Sequence, residues 1–581
     1  MCKTKRGWSV RRDGGASSST FLFTYLPPVK KRATKMSLNL ADAELLDELG
    51  LLGVETARAA GIASQSTGVV PFRVTFGKPL ERPPSEGDEN ETENFFNVQE
   101  DNAPPKRVPM MVLKSNIQRE KVRQHKFKPP ERTHEELFRE KARTGPATEN
   151  LYDNEELIDV RSGDGTALIM RDFVGFVPAL GKNIVDKGIE RPTLIQKCVM
   201  PIILTKPEFD LLARAETGSG KTGSFLFPII HLLESDRIKS LAEQTTTFFA
   251  PETIIVSPTR ELAQQLGDTA KTYTRGTSLR VVITYGEIPV PDTLADMAVG
   301  CNLLISTIGR LMQFVNEKKL KLNRLRFLVL DEADKLIFDS IFYKSVLKLR
   351  DLMNSHYQLQ QKHQTAVDKC SVPPPRILMF SATYGDSESN VAEVLRPGFF
   401  RVSVGTNDQL VFASTVKQKL IEVESRQQKV EVLFNLLVQL HSGTISGSAE
   451  GVTWRRLKTK MLSLKRYRAI PINGDRSQKQ RQNALDEFEH GDSDVLVSTN
   501  VAARGLNLAG GNKLIVVNFE LPRLVEDYVH RIGRTGRAGN IGRALSFIDL
   551  GSLAEVQFRD KLVESIVRLN KSPPEIIRAS I

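Results

Sequence analysis

The chain has 581 residues, more than one hydrophobic core serves, so two or three globular units with tails are expected. Its 40% hydrophobic and 26% charged residues are ordinary for a globular chain, and no apolar run reaches the ~20 residues of a membrane-spanning helix. Lys and Arg (81) outnumber Asp and Glu (69) for a net charge of +12, which favours a polyanionic partner, while Cys2, Cys198, Cys301 and Cys370 lie too far apart for a disulfide framework or metal-ligand spacing and fit a reducing compartment.

Residues 1–35 are rich in Arg and Ser and hold one acid, Asp13. That is the composition of an organelle transit peptide, of a basic tail, or of an upstream extension ahead of a start at Met36. "LADAELLDELGLL" within residues 36–62 has leucines at helical spacing. Residues 63–130 are rich in Pro, Asn and Glu and bury little, so residues 1–130 are expected to be a largely disordered extension able to dock protein partners. Residues 131–170 form a lead-in, with a helix at "RTHEELFREKARTG".

From 171 to 405 short apolar strands alternate with amphipathic helices: "FDLLAR", "ETIIVSP", "RVVITYG", "NLLISTI", "FLVLDE", "RILMFSAT". The same rhythm returns over 410–560 in "QKLIEV", "YRAIPIN", "DVLVSTN", "KLIVVNF" and "RALSFID". Strand–helix alternation predicts parallel sheets covered by helices, so the chain reads as two tandem α/β domains followed by a short tail, 561–581. "YQLQQKHQTAVDKCSVPPPR" is an expected surface insertion.

"AETGSGKT" (Ala215–Thr222) joins an apolar strand to an apolar helix. A Gly-rich turn there presents backbone N–H groups of Glu216, Thr217, Gly218, Ser219 and Gly220, and the positive end of a helix, to a triphosphate. Lys221 would reach the β/γ oxygens and the Thr222 hydroxyl would ligate Mg²⁺. "FLVLDEAD" is a strand that ends in acids: Asp331 suits Mg²⁺ held through water, and Glu332 suits the orienting of an attacking water. "HRIGRTGRAG" sets Arg531, Arg534 and Arg537 three residues apart. These charges repel, so an anion should face them: an RNA backbone, an acidic protein surface or an active-site phosphate.

Taken together, these motifs resemble the DEAD-box ATP-dependent RNA helicases over residues 150–550. The resemblance implies two RecA-like domains that hold ATP and Mg²⁺ between them. It implies that Gln196, in "RPTLIQ", and Phe173 read adenine. It implies that Pro258, Thr259 and Arg260 of "PTRELA", with Gly286, Thr307, Arg310, Arg481 and Thr499, contact RNA. Asp334, Ser381, Thr383 and His530 would couple hydrolysis to strand separation, Asn507 would meet the ribose, and Arg534 and Arg537 would act as arginine fingers on the γ-phosphate. Departures include Ala215 for the first glycine of the phosphate loop, Gly286-Glu287 for a Gly-Gly pair, Ile308 for a proline, Asn473 for a common histidine and Asn507 for an aspartate. Glu287 would put a negative charge near RNA phosphate. Near residue 445, where the family has a buried strand, "SGTISGSAEGVTW" is a poor strand sequence.

"VAARGL" and "DYVHRIGRTGRAGNIGRA" are most similar to the Vasa/Ded1-type branch. That implies a cytoplasmic, perinuclear or germ-granule protein, with a mitochondrial alternative if residues 1–35 are a transit peptide. The expected activity is RNA-stimulated ATP hydrolysis that unwinds or remodels RNA with little sequence specificity, by a monomeric core with no membrane contact. The alternative is an ATP-gated RNA clamp or scaffold that unwinds little.

Overall fold

The computed structural model describes residues 20–24, 127–138, 152–161, 169–239, 249–363, 373–383, 388–405, 415–441, 468–499, 514–537, 540–568 and 575–578. The acidic helix expected within 36–62, the weak stretch near 445, "VAARGL", Asn507 and most of the N-terminal extension lie outside these residues. The first described strand, β1 (Thr20–Thr24), belongs to the second of two sheets.

The first lobe is built on an eight-stranded sheet. Its strands are β2 (Ile158–Arg161), β3 (Leu211–Arg214), β4 (Thr253–Ser257), β5 (Val281–Thr284), β6 (Leu303–Thr307), β7 (Phe327–Asp331), β8 (Arg376–Ser381) and β9 (Phe400–Val404), in the order β2-β9-β3-β8-β7-β4-β6-β5. All neighbours pair in parallel except β2, which runs antiparallel to β9 at the edge. A parallel sheet covered by helices on both faces needs strands that are apolar on both sides. Leu328 and Leu330 accordingly enter one core cluster, and Val329 between them enters the other. Ile254, Ile255 and Val256 divide the same way. The helices that matter for the site are α1 (Leu194–Thr205), α2 (Lys221–Lys239), α3 (Arg260–Tyr273) and α4 (Ala333–Phe338).

The second lobe has a seven-stranded sheet of order β11-β12-β1-β13-β14-β10-β15. Its remaining strands are β10 (Val416–Val423), β11 (Ala469–Ile472), β12 (Val495–Thr499), β13 (Ile515–Asn518), β14 (Gly542–Asp549) and β15 (Glu575–Arg578); helices α5 (Gln478–Glu489) and α6 (Val525–Ile532) carry its functional residues.

Three features differ from the expected boundaries. Thr20–Thr24, inside the stretch expected to be extension, pairs antiparallel with both β12 and β13 and separates them. Glu575–Arg578, inside the expected tail, adds a parallel edge strand to β10. The helix Leu553–Arg568 also runs past the expected limit at 560, because Phe558, Leu562 and Ile566 are buried in the second lobe's core. Among the described residues no helix is long and apolar enough to cross a membrane.

Candidate functional site

Strand β3 ends at Arg214, and the next residue, Ala215, donates its N–H to the Ser381 carbonyl at 3.2 Å. The turn that follows is crowded from two sides. Gly218 and Gly220 have φ of +81° and +92°, values that favour glycine. A Cβ on Gly220 would lie 2.8 Å from Gln196 Nε2 and Thr193 Oγ1, and one on Gly218 would lie 2.9 Å from Cβ of Arg537 in the other lobe. Lys221 Nζ donates to the carbonyls of Ala215 (2.6 Å) and Glu216 (2.8 Å). Burial pushes the Lys221 pKa down; Glu332 and Asp331 oppose that push, and Arg534 and Arg537 add to it. Ser219 Oγ donates to the Glu216 carbonyl at 2.7 Å, and Thr222 lies half-buried in the first turn of α2.

Gln196 sits at the third position of α1 and closes a capping box: Thr193 N–H donates to Gln196 Oε1 at 3.1 Å. Its other end, Nε2, donates to the Gly220 carbonyl at 3.0 Å and so ties α1 to the turn. Phe173 packs edge-on against Phe227 at 5.9 Å and stacks on Phe176 at 6.2 Å.

Strand β7 ends in Asp331, whose burial, reinforced by Glu332, pushes its pKa up to about 7 against the opposing pull of Lys221. Glu332 adopts a left-handed conformation (φ +49°) that turns the chain into α4. Asp334 Oδ2 accepts from Thr383 Oγ1 at 2.9 Å, and Ser381 Oγ shapes the same corner by donating to the Thr383 carbonyl at 2.8 Å. His530 arrives from α6 of the second lobe. Its Nε2 lies 2.7 Å from Asp334 Oδ2, and its Nδ1 lies 3.1 Å from Glu332 Oε2.

The three arginines separate in role. Arg531 is fully buried and donates to Glu520 O (2.8 Å) and Asn518 Oδ1 (3.3 Å), which fastens α6 to the end of β13. Arg534 and Arg537 turn to the cleft, where their Nε groups donate to the carbonyls of His530 (2.9 Å) and Gly533 (3.0 Å). Burial and Arg534 push the Arg537 pKa well down, against the pull of Glu332. Thr217 Oγ1 donates across the cleft to the Gly533 carbonyl at 3.2 Å. Lys221, Asp331 and Glu332 of the first lobe thus share a largely buried centre with His530, Arg534 and Arg537 of the second.

The residues expected to meet RNA lie at the ends of neighbouring strands. Pro258 follows β4, and Thr259 caps α3 by accepting from Leu262 N–H at 3.3 Å. Gly286 packs closely against Arg260: a Cβ there would lie 3.0 Å from Arg260 Nη2. Thr307 ends β6, and Arg310 donates to the Ile288 carbonyl at 2.9 Å while lying over the Phe314 ring at 5.7 Å. Burial and nearby Arg260 both lower the Arg310 pKa. Thr499 is buried at the end of β12.

Arg481 differs in its surroundings from the expected RNA contact. It donates to Glu261 Oε1 at 2.9 Å across the cleft, and to the carbonyls of Gly474 and Arg476. Gln478 Nε2 reaches the same Glu261 oxygen at 3.3 Å, and Gln478 N–H donates to Glu287 Oε2 at 2.8 Å. Glu287 also pairs with Arg260. The sequence motifs single out neither Glu261 nor Glu287 as a cross-lobe residue; an acid beside Arg260 and another at a glycine position are the signals they leave.

A DEAD/DEAH box helicase profile matches residues 193–391, and a helicase conserved C-terminal domain profile matches residues 428–539. The chain is 36% identical over 415 residues to a probable ATP-dependent RNA helicase DDX4 of Pelophylax lessonae, covering 70% of this chain and 53% of that protein. It is 35% identical over 412 residues to the probable ATP-dependent RNA helicase DDX4 of Homo sapiens, covering 68% and 52%. The chain therefore spans about half the length of these curated relatives. In fold it is similar to S. cerevisiae Dbp5 bound to RNA and ADP BeF3 (TM-score 0.56, 23% identity, 70% of this chain and 94% of that one). It is likewise similar to Mss116p bound to ssRNA and AMP-PNP (TM-score 0.57, 21% identity, 70% and 78%).

Proposed function

We propose that this chain, which belongs to the DEAD/DEAH box helicase family, hydrolyses ATP in response to RNA and uses closure of its two lobes to unwind or remodel RNA locally. One observation carries the reading. The two lobes contribute Lys221, Asp331, Glu332, His530, Arg534 and Arg537 to a single, largely buried centre, and contacts such as Thr217 to Gly533 exist only while the lobes are together.

The residues fit a magnesium nucleotide. Gly218 and Gly220 let the turn take positive φ while packed against Arg537 and Gln196, and Lys221, Arg534 and Arg537 concentrate positive charge there. The Thr222 hydroxyl and Asp331 carboxylate are hard oxygen donors of the kind Mg²⁺ takes. Bound Mg²⁺ supplies neutralisation of phosphate charge. Lys221 and the turn N–H groups bind the β- and γ-phosphates. Glu332 orients the attacking water. Arg534 and Arg537 reach the γ-phosphate from the second lobe and stabilise charge that grows in the transition state. RNA lies along Pro258–Arg260, Gly286, Thr307, Arg310 and Thr499, with contacts to phosphates and 2′-hydroxyls that favour RNA over DNA without reading sequence.

The test is the ATPase rate of the full chain alone, with single-stranded RNA, and with DNA of the same sequence. RNA should accelerate turnover and DNA should not. Equal rates in all three overturn the reading.

A further inference from the structure

Glu287 stands in the left-handed region at φ +86°, where a side chain is strained and glycine is not. Something must hold it there. Its carbonyl accepts from Phe127 N–H at 3.1 Å, which pins the backbone. One carboxylate oxygen pairs with the Arg260 guanidinium, and the other accepts the N–H of Gln478 at 2.8 Å. Gln478 is the first residue of α5, a helix of 12 residues, so the carboxylate sits at that helix's positive end. An arginine fork and a helix N-terminus are the donors that a phosphate seeks. Arg260 belongs to lobe 1 and α5 to lobe 2, so one carboxylate bridges both.

We propose that Glu287 is a built-in stand-in for an RNA phosphate: it latches the two lobes across the RNA path, and RNA must displace it to reach Arg260 and the start of α5. This rests on the reading of the chain as an RNA-dependent ATPase. The carboxylate lowers affinity for RNA and relieves part of the need for RNA in closing the lobes. The Glu261 contacts with Gln478 and Arg481 form a second latch that does not compete in this way, because Glu261 is buried (3% exposed) behind Arg481.

The experiment measures binding of a fluorescein-labelled oligouridylate to the full chain, with a non-hydrolysable ATP analogue and Mg²⁺, across a salt series. Glu287→Gly suits the φ of +86° and removes the anion. It should tighten binding about tenfold and steepen the slope of log K against log salt by about 0.7, the value for one more phosphate neutralised on a single strand. It should also lower the RNA-free ATPase rate. Glu287→Gln keeps the shape and loses the charge, and should tighten binding by a smaller factor. A wild-type chain that binds RNA, with a Glu287→Gly variant of unchanged or weaker affinity and unchanged slope, overturns the latch alone. A wild-type chain that binds no RNA overturns the latch together with the helicase reading.

Discussion

His530 Nε2 lies 2.7 Å from Asp334 Oδ2, although the two residues belong to different lobes, and both are fully buried. Asp334 also accepts from Thr383 Oγ1 at 2.9 Å. One carboxylate therefore joins the end of β8 to the second lobe, and separating the lobes breaks the set. A buried contact of this kind is best measured by a double-mutant cycle. His530→Ala and Asp334→Ala, singly and combined, should couple by about 0.5–3 kcal/mol in the RNA-stimulated ATPase rate, with the double variant little worse than the poorer single one. Additive losses would mean that the contact transmits nothing.

Neighbouring arginines of one motif should fail in different ways. Arg534→Ala should leave ATP binding to the first lobe intact and slow hydrolysis by about 10³-fold, the scale of an arginine finger. Arg531→Ala should lower the melting temperature, since its guanidinium holds Glu520 O and Asn518 Oδ1 inside the second lobe. Single-turnover kinetics beside thermal melts separate the two; a melt of Arg531→Ala identical to wild type would remove its structural assignment.

Asp331 gives a dependence on pH. Its ordinary value is 3.8, and burial beside Glu332 raises it to about 7 in the folded protein. Between those values the folded chain keeps a proton that the unfolded chain has released. The stability contributed by this group is whole below about pH 4 and is lost as pH rises through about 7. Asp331→Asn is neutral throughout, so the nucleotide-free variant should gain in melting temperature over wild type as pH climbs from about 5 to about 8. A difference that stays constant over that range refutes the raised value.

The second sheet supplies a test of its own. β1 pairs with Val495–Thr499 on one side and, through Leu22–Thr24, with Ile515–Val517 on the other. Proline at Leu22 cannot serve a strand paired on both edges. Leu22→Pro should speed amide exchange in β12 and β13 while leaving β3, β4 and β7 of the first sheet protected. Unchanged exchange in β12 and β13 would take Thr20–Thr24 out of the sheet.

What was legible in the sequence was local. The turn Ala215–Thr222, the acids after β7 and the arginines of "HRIGRTGRAG" are contiguous signals, and each lies beside an apolar run long enough to read as a strand or helix. The pairing of Glu287 with Gln478, 191 residues away, and of Glu261 with Arg481, 220 residues away, left no such trace. Neither partner of such a distant contact announces the other, because a charged residue is ordinary at a lobe's surface until closure buries it. The limits of the second lobe failed for a related reason. "TFLFT" lies within a basic stretch and "EIIR" follows two prolines, so each read as a tail, and only the sheet edge each one meets makes it a strand.

Thr20 is paired with Thr499, so most of the chain separates two strands that lie side by side. During synthesis β1 leaves the ribosome long before β12 and β13 exist. Its backbone N–H and C=O groups must wait for their partners while the first lobe, whose strands all lie within residues 158–404, can complete itself. Contacts of such sequence separation form late and slowly. The second lobe is thus the slower-maturing half of the molecule.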